Sequence, residues 1–406
     1  MQLMVALVII VLSLIGISIG RFPYLRMNRS TIALVGATML LLSGICSLEE
    51  AKDYIDFPTI IILFSIMIIN ANIKFSGFFD LVVNYFVKNI SSPKKLLALL
   101  IILSGFLSAL FLNDTIVLVF TPMVLMLAGK YKIRPVPYLI ALATSANIGS
   151  AATLIGNPQN ILIASYSGIP FDLFLWYQLP VTLLSLLVVY VVVILYYSLD
   201  FKNKLKADRI VIKTRLHKPL LIKATVATIG MISAMLLGAS MAVTAMCAAS
   251  LLLITRRIKP SRVYREIDWS LLVFFSSLFV ITGVVQTLIP ENFWTGILVF
   301  KSGSATLDLS AVSLIASNVV SNVPAVLLLS KFIHFFGEGY IPWLVLSMSS
   351  TFAGNLTLVG SVANLIVAES AAQQGVHLGF GEYLKAGIPI TLISIAIGVL
   401  YYSTAL

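Results

Sequence analysis

The sequence predicts an all-α polytopic membrane protein made of two inverted-topology repeats, each with a re-entrant hairpin and a broken transmembrane helix. Three observations point there. Hydrophobic residues make up 59 % of the 406 and charged residues 11 %, a balance outside the range of soluble domains. Apolar stretches of spanning length recur from end to end. The segment Ala152 to Ala164 (ATLIGNPQNILIA) returns as Leu356 to Ala368 (LTLVGSVANLIVA), with Thr153/Thr357, Gly156/Gly360 and Asn160/Asn364 in register.

Met1 to Gly20 is apolar, with no basic n-region and no small-residue cleavage motif before Arg21, so it is expected to be a retained first span. Ser30 to Ser47 and Phe57 to Ile73 follow. Between these runs lie Arg21, Arg26 and Arg29, then Glu49, Glu50, Asp53 and Asp56 around Lys52. Basic loops stay in the cytoplasm, which places the amino terminus outside a prokaryotic plasma (inner) membrane. Phe75 to Lys88 fits a helix along the cytoplasmic interface.

Leu96 to Leu112 and Thr115 to Gly129 are two apolar arms around Asn113-Asp114, flanked by Lys94 and Lys95, then Lys130, Lys132 and Arg134. With basic residues on both flanks, residues 96–129 are expected to enter from inside and turn back as a hairpin; irregular backbone at that depth needs protein or a watery cavity over it. The alternative is two crossings with a short external turn, for which arms of about 22 to 26 Å are short. Residues 137–164 read as a broken helix with a polar interruption from Ser145 to Asn160, and Leu179 to Leu199 returns to the cytoplasm. The loop 201–219, with Lys202, Lys204, Lys206, Arg209, Lys213, Arg215 and Lys218, separates the first repeat, 1–200, from the second, 220–406.

The second repeat follows the same order upside down. Leu220 to Leu237 and Ala239 to Thr255 precede a basic loop of Arg256, Arg257, Lys259, Arg262 and Arg265, then Trp269 to Leu288. Pro290 to Lys301 is expected to be interfacial, 309–336 to be an external-side hairpin around Ser321-Asn322, 342–368 a second broken helix, and Tyr383 to Tyr402 a last span. Glu369 to Glu382 should be cytoplasmic yet lacks Lys or Arg. Inverted repeats with broken helices are the signature of alternating-access carriers, whose substrate sits near the midplane.

That site would be lined by the tips, Asn113, Asp114 and Thr115 with Ser321 and Asn322, and by the breaks, Asn147, Thr153, Gly156, Asn157 and Asn160 with Asn355, Thr357, Gly360, Ser361 and Asn364. These residues supply amides, hydroxyls and freed backbone groups. Taken singly, such residues are ordinary packing in membrane bundles; their repetition favours a site. Gly149, Gly156, Gly354 and Gly360 would loosen the backbone, and Pro158 and Pro324 would interrupt it. Asp114 is the acidic residue expected at the bilayer centre, where it should pair with a cation or carry a proton for part of a cycle; it is the candidate coupling group, or else a cap on its own helix. Glu266, Asp268 and Glu369 are expected at interfaces.

The net charge of +11 sits in short loops, a topogenic pattern that predicts lipid contact and no nucleic-acid partner. Cys46 and Cys247 lie in separate apolar runs, which disfavours a disulfide or thiolate metal site. No P-loop, HExxH or GxSxG occurs, so no enzyme and no resident cofactor is expected, only sodium as a coupling ion.

Leu112-Asn113-Asp114-Thr115 with Thr121-Pro122, Ser145 to Gly149 with Gly156 to Asn160, and Gly354 to Gly360 with Asn364 resemble the Ion Transporter superfamily of arsenite permeases, divalent anion/sodium symporters, citrate carriers and sodium/proton antiporters. The resemblance covers nearly the whole chain. It implies a homodimer with an elevator-like transport domain, moving a small inorganic or carboxylate anion by symport or antiport with protons or sodium. In the symporters a Ser-Asn-Thr triplet at each tip binds sodium and a carboxylate; here Leu112, Asp114 and Val323 depart from it.

Overall fold

The computed structural model describes residues 2–20, 26–88, 92–202, 216–256, 258–288 and 302–404. Arg21, Arg257, most of the loop 201–219 and the expected interfacial segment Pro290 to Lys301 lie outside the described residues. Among the described residues, regular structure is entirely helical. The first half holds α1 (Gln2–Ile19), α2 (Arg29–Leu42), α3 (Leu48–Tyr54), α4 (Phe57–Phe75), α5 (Phe78–Lys88), α6 (Pro93–Leu110), α7 (Asn113–Tyr131), α8 (Val136–Ser150), α9 (Pro158–Ser167) and α10 (Phe171–Tyr196). The second holds α11 (Lys218–Leu236), α12 (Met241–Leu253), α13 (Pro260–Arg265), α14 (Trp269–Leu288), α15 (Ala305–Val320), α16 (Asn322–Ser330), α17 (Ile341–Ala353), α18 (Val362–Ala372) and α19 (Phe380–Thr404).

Eight of these helices (α1, α4, α6, α7, α10, α11, α14 and α19) are long and apolar enough to cross a bilayer. On α1, Met4, Val8, Leu12 and Ile15 are exposed while Ala6, Ile10 and Ile17 are buried. A continuous apolar outer face of this kind needs lipid beside it. By contrast α8 is buried along its whole length, its polar residues Thr144, Ser145, Asn147 and Ser150 included. The helix expected over 137–164 breaks between α8 and α9, and that over 342–368 between α17 and α18. The two expected hairpins are the pairs α6/α7, joined through Phe111 and Leu112, and α15/α16, joined through Ser321.

Proline and capping side chains set where the pieces restart. Pro158 stands at the start of α9, where its missing N–H is not needed, and Asn157 caps the same helix. The glycines act by close approach rather than by backbone freedom. A Cβ on Gly149 would fall 2.2 Å from the Gly105 carbonyl oxygen, so α6 and α8 touch backbone to backbone. A Cβ on Gly156 would fall 2.3 Å from the Ser150 carbonyl oxygen, inside the break itself.

Contacts at the helix ends define two opposite faces of the molecule. On one, Lys74 pairs with Glu266 at 2.6 Å, the His217 N–H donates to the Ser76 carbonyl at 3.0 Å, and Asn28 Nδ2 donates to Ser270 Oγ at 3.3 Å. Arg134 pairs with Glu382 at 2.9 Å and with Asp200 at 3.6 Å, so a cation from the first half stands beside the base-poor segment before α19. On the other face Tyr54 packs on Gly283, Tyr166 shares a cleft with Asp56 and Gln286, and Lys331 Nζ donates to the Gln286 carbonyl.

Candidate functional site

Unwinding a helix leaves carbonyls without partners, and in each break one asparagine supplies them. Asn160 Nδ2 donates to the Ser150 and Thr153 carbonyls at 3.2 and 2.8 Å. Asn364 Nδ2 donates to the Gly354 and Thr357 carbonyls at 2.7 and 3.1 Å. Both side chains are fully buried. The breaks are therefore closed, hydrogen-bonded turns.

The two breaks are also tied to each other. Asn147, on the last turns of α8, donates Nδ2 to Asn355 Oδ1 at 2.9 Å and to Asn364 Oδ1 at 3.1 Å. Its Oδ1 accepts from Ser361 Oγ at 3.1 Å and from Asn113 Nδ2 at 3.0 Å. All four hydrogen-bonding places of this amide are thus filled. In the opposite direction Ser347 Oγ donates to Asn160 Oδ1 at 2.7 Å, and Asn157 Nδ2 donates to Thr351 Oγ1 at 3.4 Å. The start of α18 bonds the end of α8 through Ser361 and Asn147, and the start of α9 bonds the end of α17 through Asn157 and Thr351. Such reciprocity is the pattern a local twofold generates.

The hairpin tips close on this core unequally. At the first, the Asn113 N–H donates to the Gly156 carbonyl at 3.1 Å, Thr153 Oγ1 donates to the Ala109 carbonyl at 2.5 Å, and Asn70 Nδ2 donates to Thr115 Oγ1 at 3.2 Å. At the second, Ser321 has φ +78° and ψ 158°, a region almost confined to glycine that costs a serine about 1 to 3 kcal/mol. Next to it, the buried Oδ1 of Asn322 has no hydrogen-bond partner among the described residues.

A cavity of about 390 Å³ lies against both tips. The first turns of six helices line it, through Arg29 on α2, Asp114 on α7, Gln159 on α9, Ser270 on α14, Asn322 on α16 and Val362 on α18. Asn28, Asn157 and Asp268 cap α2, α9 and α14. The N-termini of α16 and α18 carry no side-chain cap, whereas at α7 the Asp114 N–H donates to Asn113 Oδ1 at 3.0 Å. Among the described residues Arg29 is the single basic one in the lining, which also holds Asp114, Asp268 and Glu369. A second cavity of about 200 Å³ shares Asp114 and Asp268 and adds Lys74, Glu266 and Thr115.

Of the residues singled out from sequence, Asn113, Asp114, Ser321, Asn322 and Ser361 line the larger cavity, and Thr115 lines the smaller. Asn147, Thr153, Gly156, Asn157, Asn160, Asn355, Thr357, Gly360 and Asn364 are not among the lining residues; they build the clasp behind it. Arg29, Gln159 and Ser270 were not singled out, and Asp268 and Glu369, expected at interfaces, line the cavity. Arg29 carried only the signal of a basic loop, because folding alone brings it to the cavity that Asp114 also lines. No group of His, Cys, Asp and Glu suited to a metal ion occurs among the described residues.

With that geometry in place, comparison with known proteins is informative. The family model described as Citrate transporter matches residues 5–343. A silicon efflux transporter, LSI3, of Oryza sativa subsp. japonica is 31 % identical over 93 % of this chain and 93 % of its own length. A 46 kDa membrane protein of Mycobacterium leprae (strain TN) is 29 % identical over 93 % of this chain and 94 % of its own. Among solved structures, the Alcanivorax borkumensis YdaH transporter superposes with a TM-score of 0.57 at 12 % identity, covering 99 % of this chain and 97 % of that one, which speaks for the fold alone. A family match over most of the chain, and a relative aligned over nearly all of it, make this membrane protein a member of the citrate transporter family.

Proposed function

We propose that the protein is a secondary active transporter that moves a small anion, an oxyanion or a carboxylate, by alternating access coupled to a proton or sodium gradient. The observation that carries this reading is the convergence of six helix N-termini on one cavity, two of them, those of α16 and α18, without side-chain caps. Helix N-termini present the positive ends of peptide dipoles and unshared N–H donors, and so suit a compact anion. At about 390 Å³ the cavity is at the small end of ligand sites. The relative named for silicon efflux argues against taking the cargo from the family name.

In this reading the halves are inverted repeats. The α8/α9 pair starts near Arg134 and ends at Tyr166, whereas α17/α18 ends at Glu369, in the cavity beside Arg29. The face carrying Arg29, Lys74 and Arg134 is cytoplasmic by its charge, so the amino terminus is outside and the cavity opens inward. Asp114 couples transport to the ion gradient, as a proton carrier or, with Asn322 Oδ1, as an oxygen ligand to sodium. A homodimer with elevator motion, in a bacterial inner membrane, is the assembly expected from the superfamily likeness.

A sodium/proton antiporter on the same scaffold is the second reading, favoured by the two carboxylates, Asp114 and Asp268, on one cavity. Proteoliposomes decide between them. Arsenite, silicate, phosphate, sulfate, acetate and citrate are offered under imposed proton or sodium gradients. Uphill accumulation of one solute is expected; sodium-driven proton flux with no solute present would instead support the antiporter.

A further inference from the structure

Among the described residues, Asp114, Asp268 and Glu369 face the larger cavity together with one cation, Arg29. Asp114 also faces the smaller cavity, where Lys74 and Glu266 are already joined at 2.6 Å and cancel each other. The helices packed on α7 contribute little else. No ionisable side chain with a charge at neutral pH occurs on α8, Lys94 and Lys95 sit in the first turn of α6, and Glu369 is the charged residue of α18. Asp268 is held at the cap of α14, where its Oδ1 accepts from the Leu271 N–H at 3.0 Å, and Glu369 is exposed to screening solvent. Asp114, Asp268 and Arg29 thus share the wall of one cavity, each at the first turn or cap of a helix whose N-terminus opens onto it.

We propose that Arg29 and Asp114 form a charge-exchange pair, in which the Arg29 guanidinium is engaged either by the Asp114 carboxylate or by the transported anion. When Asp114 takes a proton from water on the side to which the cavity opens, Arg29 is released and the anion takes the place of the carboxylate. When the proton returns to water, the carboxylate reclaims Arg29 and the anion leaves. One proton is thereby tied to one negative charge, with no hydrogen bond required between them. The inference rests on the anion-carrier reading and adds to it the residue that makes anion binding and proton loss exclusive.

The test is an infrared titration of the Asp114 carboxylic C=O stretch in the purified full-length protein, assigned by its disappearance in Asp114→Asn. Arg29→Gln should raise the pH at which the band is lost by about one unit or more, a tenfold change in proton affinity. Arg29→Lys should stay near wild type, and Asp268→Asn should shift the midpoint down. Phosphate, sulfate or acetate at millimolar concentration should raise the wild-type midpoint but not that of Arg29→Gln. Equal midpoints in wild type and Arg29→Gln overturn the pair, and should Arg29→Gln fail to fold, a wild-type midpoint that none of the three anions moves does so in its place. If anions raise the melting temperature yet leave the midpoint unmoved, the exchange is wrong while the carrier reading stands. If no anion does either, both fail.

Discussion

Asn160 and Asn364 make the same pair of hydrogen bonds, each donating Nδ2 to the carbonyls ten and seven residues upstream. Each Oδ1 then accepts from the other half of the chain, Asn160 from Ser347 and Asn364 from Asn147. One residue type therefore performs three tasks at each break: it satisfies two freed carbonyls, holds the unwound turn in shape and ties that turn to its counterpart. Because neither amide lines the cavity, its effect on a solute would act through the geometry of the turn.

Replacing either asparagine with alanine should therefore destabilise the protein before it alters selectivity. For Asn160 two buried carbonyls and one cross-half donor lose their partner, and for Asn364 the Gly354 carbonyl and an Asn147 N–H do while the Thr357 carbonyl keeps the Gly360 N–H, at about 1 to 3 kcal/mol for each unsatisfied group. A net loss of about 3 kcal/mol is expected, read as a lower melting temperature in detergent. Wild-type melting in both variants would show that water replaces the amide and that the clasp is dispensable.

Asn147 should behave as a hub. In a double-mutant cycle, Asn147→Ala with Ser361→Ala should cost clearly less than the sum of the single changes, by about 1 kcal/mol, because both remove the same bond. A distant pair such as Asn147→Ala with Ser47→Ala should add. Additivity in the first pair would mean that the hydroxyl and the amide do not share an interaction.

Much of this was open to reading in the sequence, and the unread part has physical causes. The repeated Thr, Gly and Asn marked the places where the helices break, since the positions that close a turn must recur when the turn does. The same doubling extends further than was read. Ser104, Ser108, Ser145, Thr182 and Ser185 in one half match Ser313, Ser317, Ser349, Thr391 and Ser394 in the other, all buried. Such serines look like packing residues one at a time, and only their common spacing exposes the repeat. Arg29 and Asp268 were illegible for another reason. They belong to the starts of α2 and α14, far from the tips in sequence, and those helix ends meet through the packing of α2 on α14 and the Asn28 and Ser30 contacts to Ser270. The four glycines were legible as special, but a clash between backbones depends on a neighbour that the local sequence does not name.

The glycine argument gives a paired test. Gly149→Ala would drive a methyl group into the Gly105 backbone, whereas the site of a Cβ on Gly230 is open. Gly149→Ala should push α6 off α8, with a loss of several kcal/mol or failure to assemble. Gly230→Ala should be neutral or stabilise by up to about 1 kcal/mol, from helix propensity. Monodisperse elution and melting temperature report both, and a well-behaved Gly149→Ala would refute the close contact.

Outside the membrane core, α3 should respond to acid. Ser47 donates its N–H to Glu50 Oε2 at 2.7 Å while its hydroxyl accepts from the Glu50 N–H. The backbone bond first, and the Ser47 side chain second, hold the Glu50 carboxyl below its usual range. A carboxyl depressed in the folded state contributes stability above its unfolded pKa, and that contribution is lost as pH falls through the folded value. Amide exchange across residues 48–54, corrected for its intrinsic pH dependence, should therefore show lower protection below about pH 4 than at pH 7. Glu50→Gln should remove the difference. A pH-independent protection in wild type would mean the capping box does not hold the helix.

Asp114→Asn is the substitution that separates binding from coupling. Asparagine keeps the size of the side chain, and the Asp114 N–H keeps its bond to Asn113 Oδ1 at 3.0 Å, so the first turn of α7 should form unchanged. The variant cannot gain or lose a proton at this position, and it leaves Arg29 without its internal carboxylate. Exchange of labelled for unlabelled solute across proteoliposomes should continue, because exchange does not require the empty carrier to reset its charge. Accumulation against a gradient should fall to the level of protein-free vesicles, and the remaining exchange should no longer vary between pH 5 and pH 8. Uphill accumulation at the wild-type rate would remove Asp114 from the coupling step and direct attention to Asp268, the other carboxylate shared by both cavities.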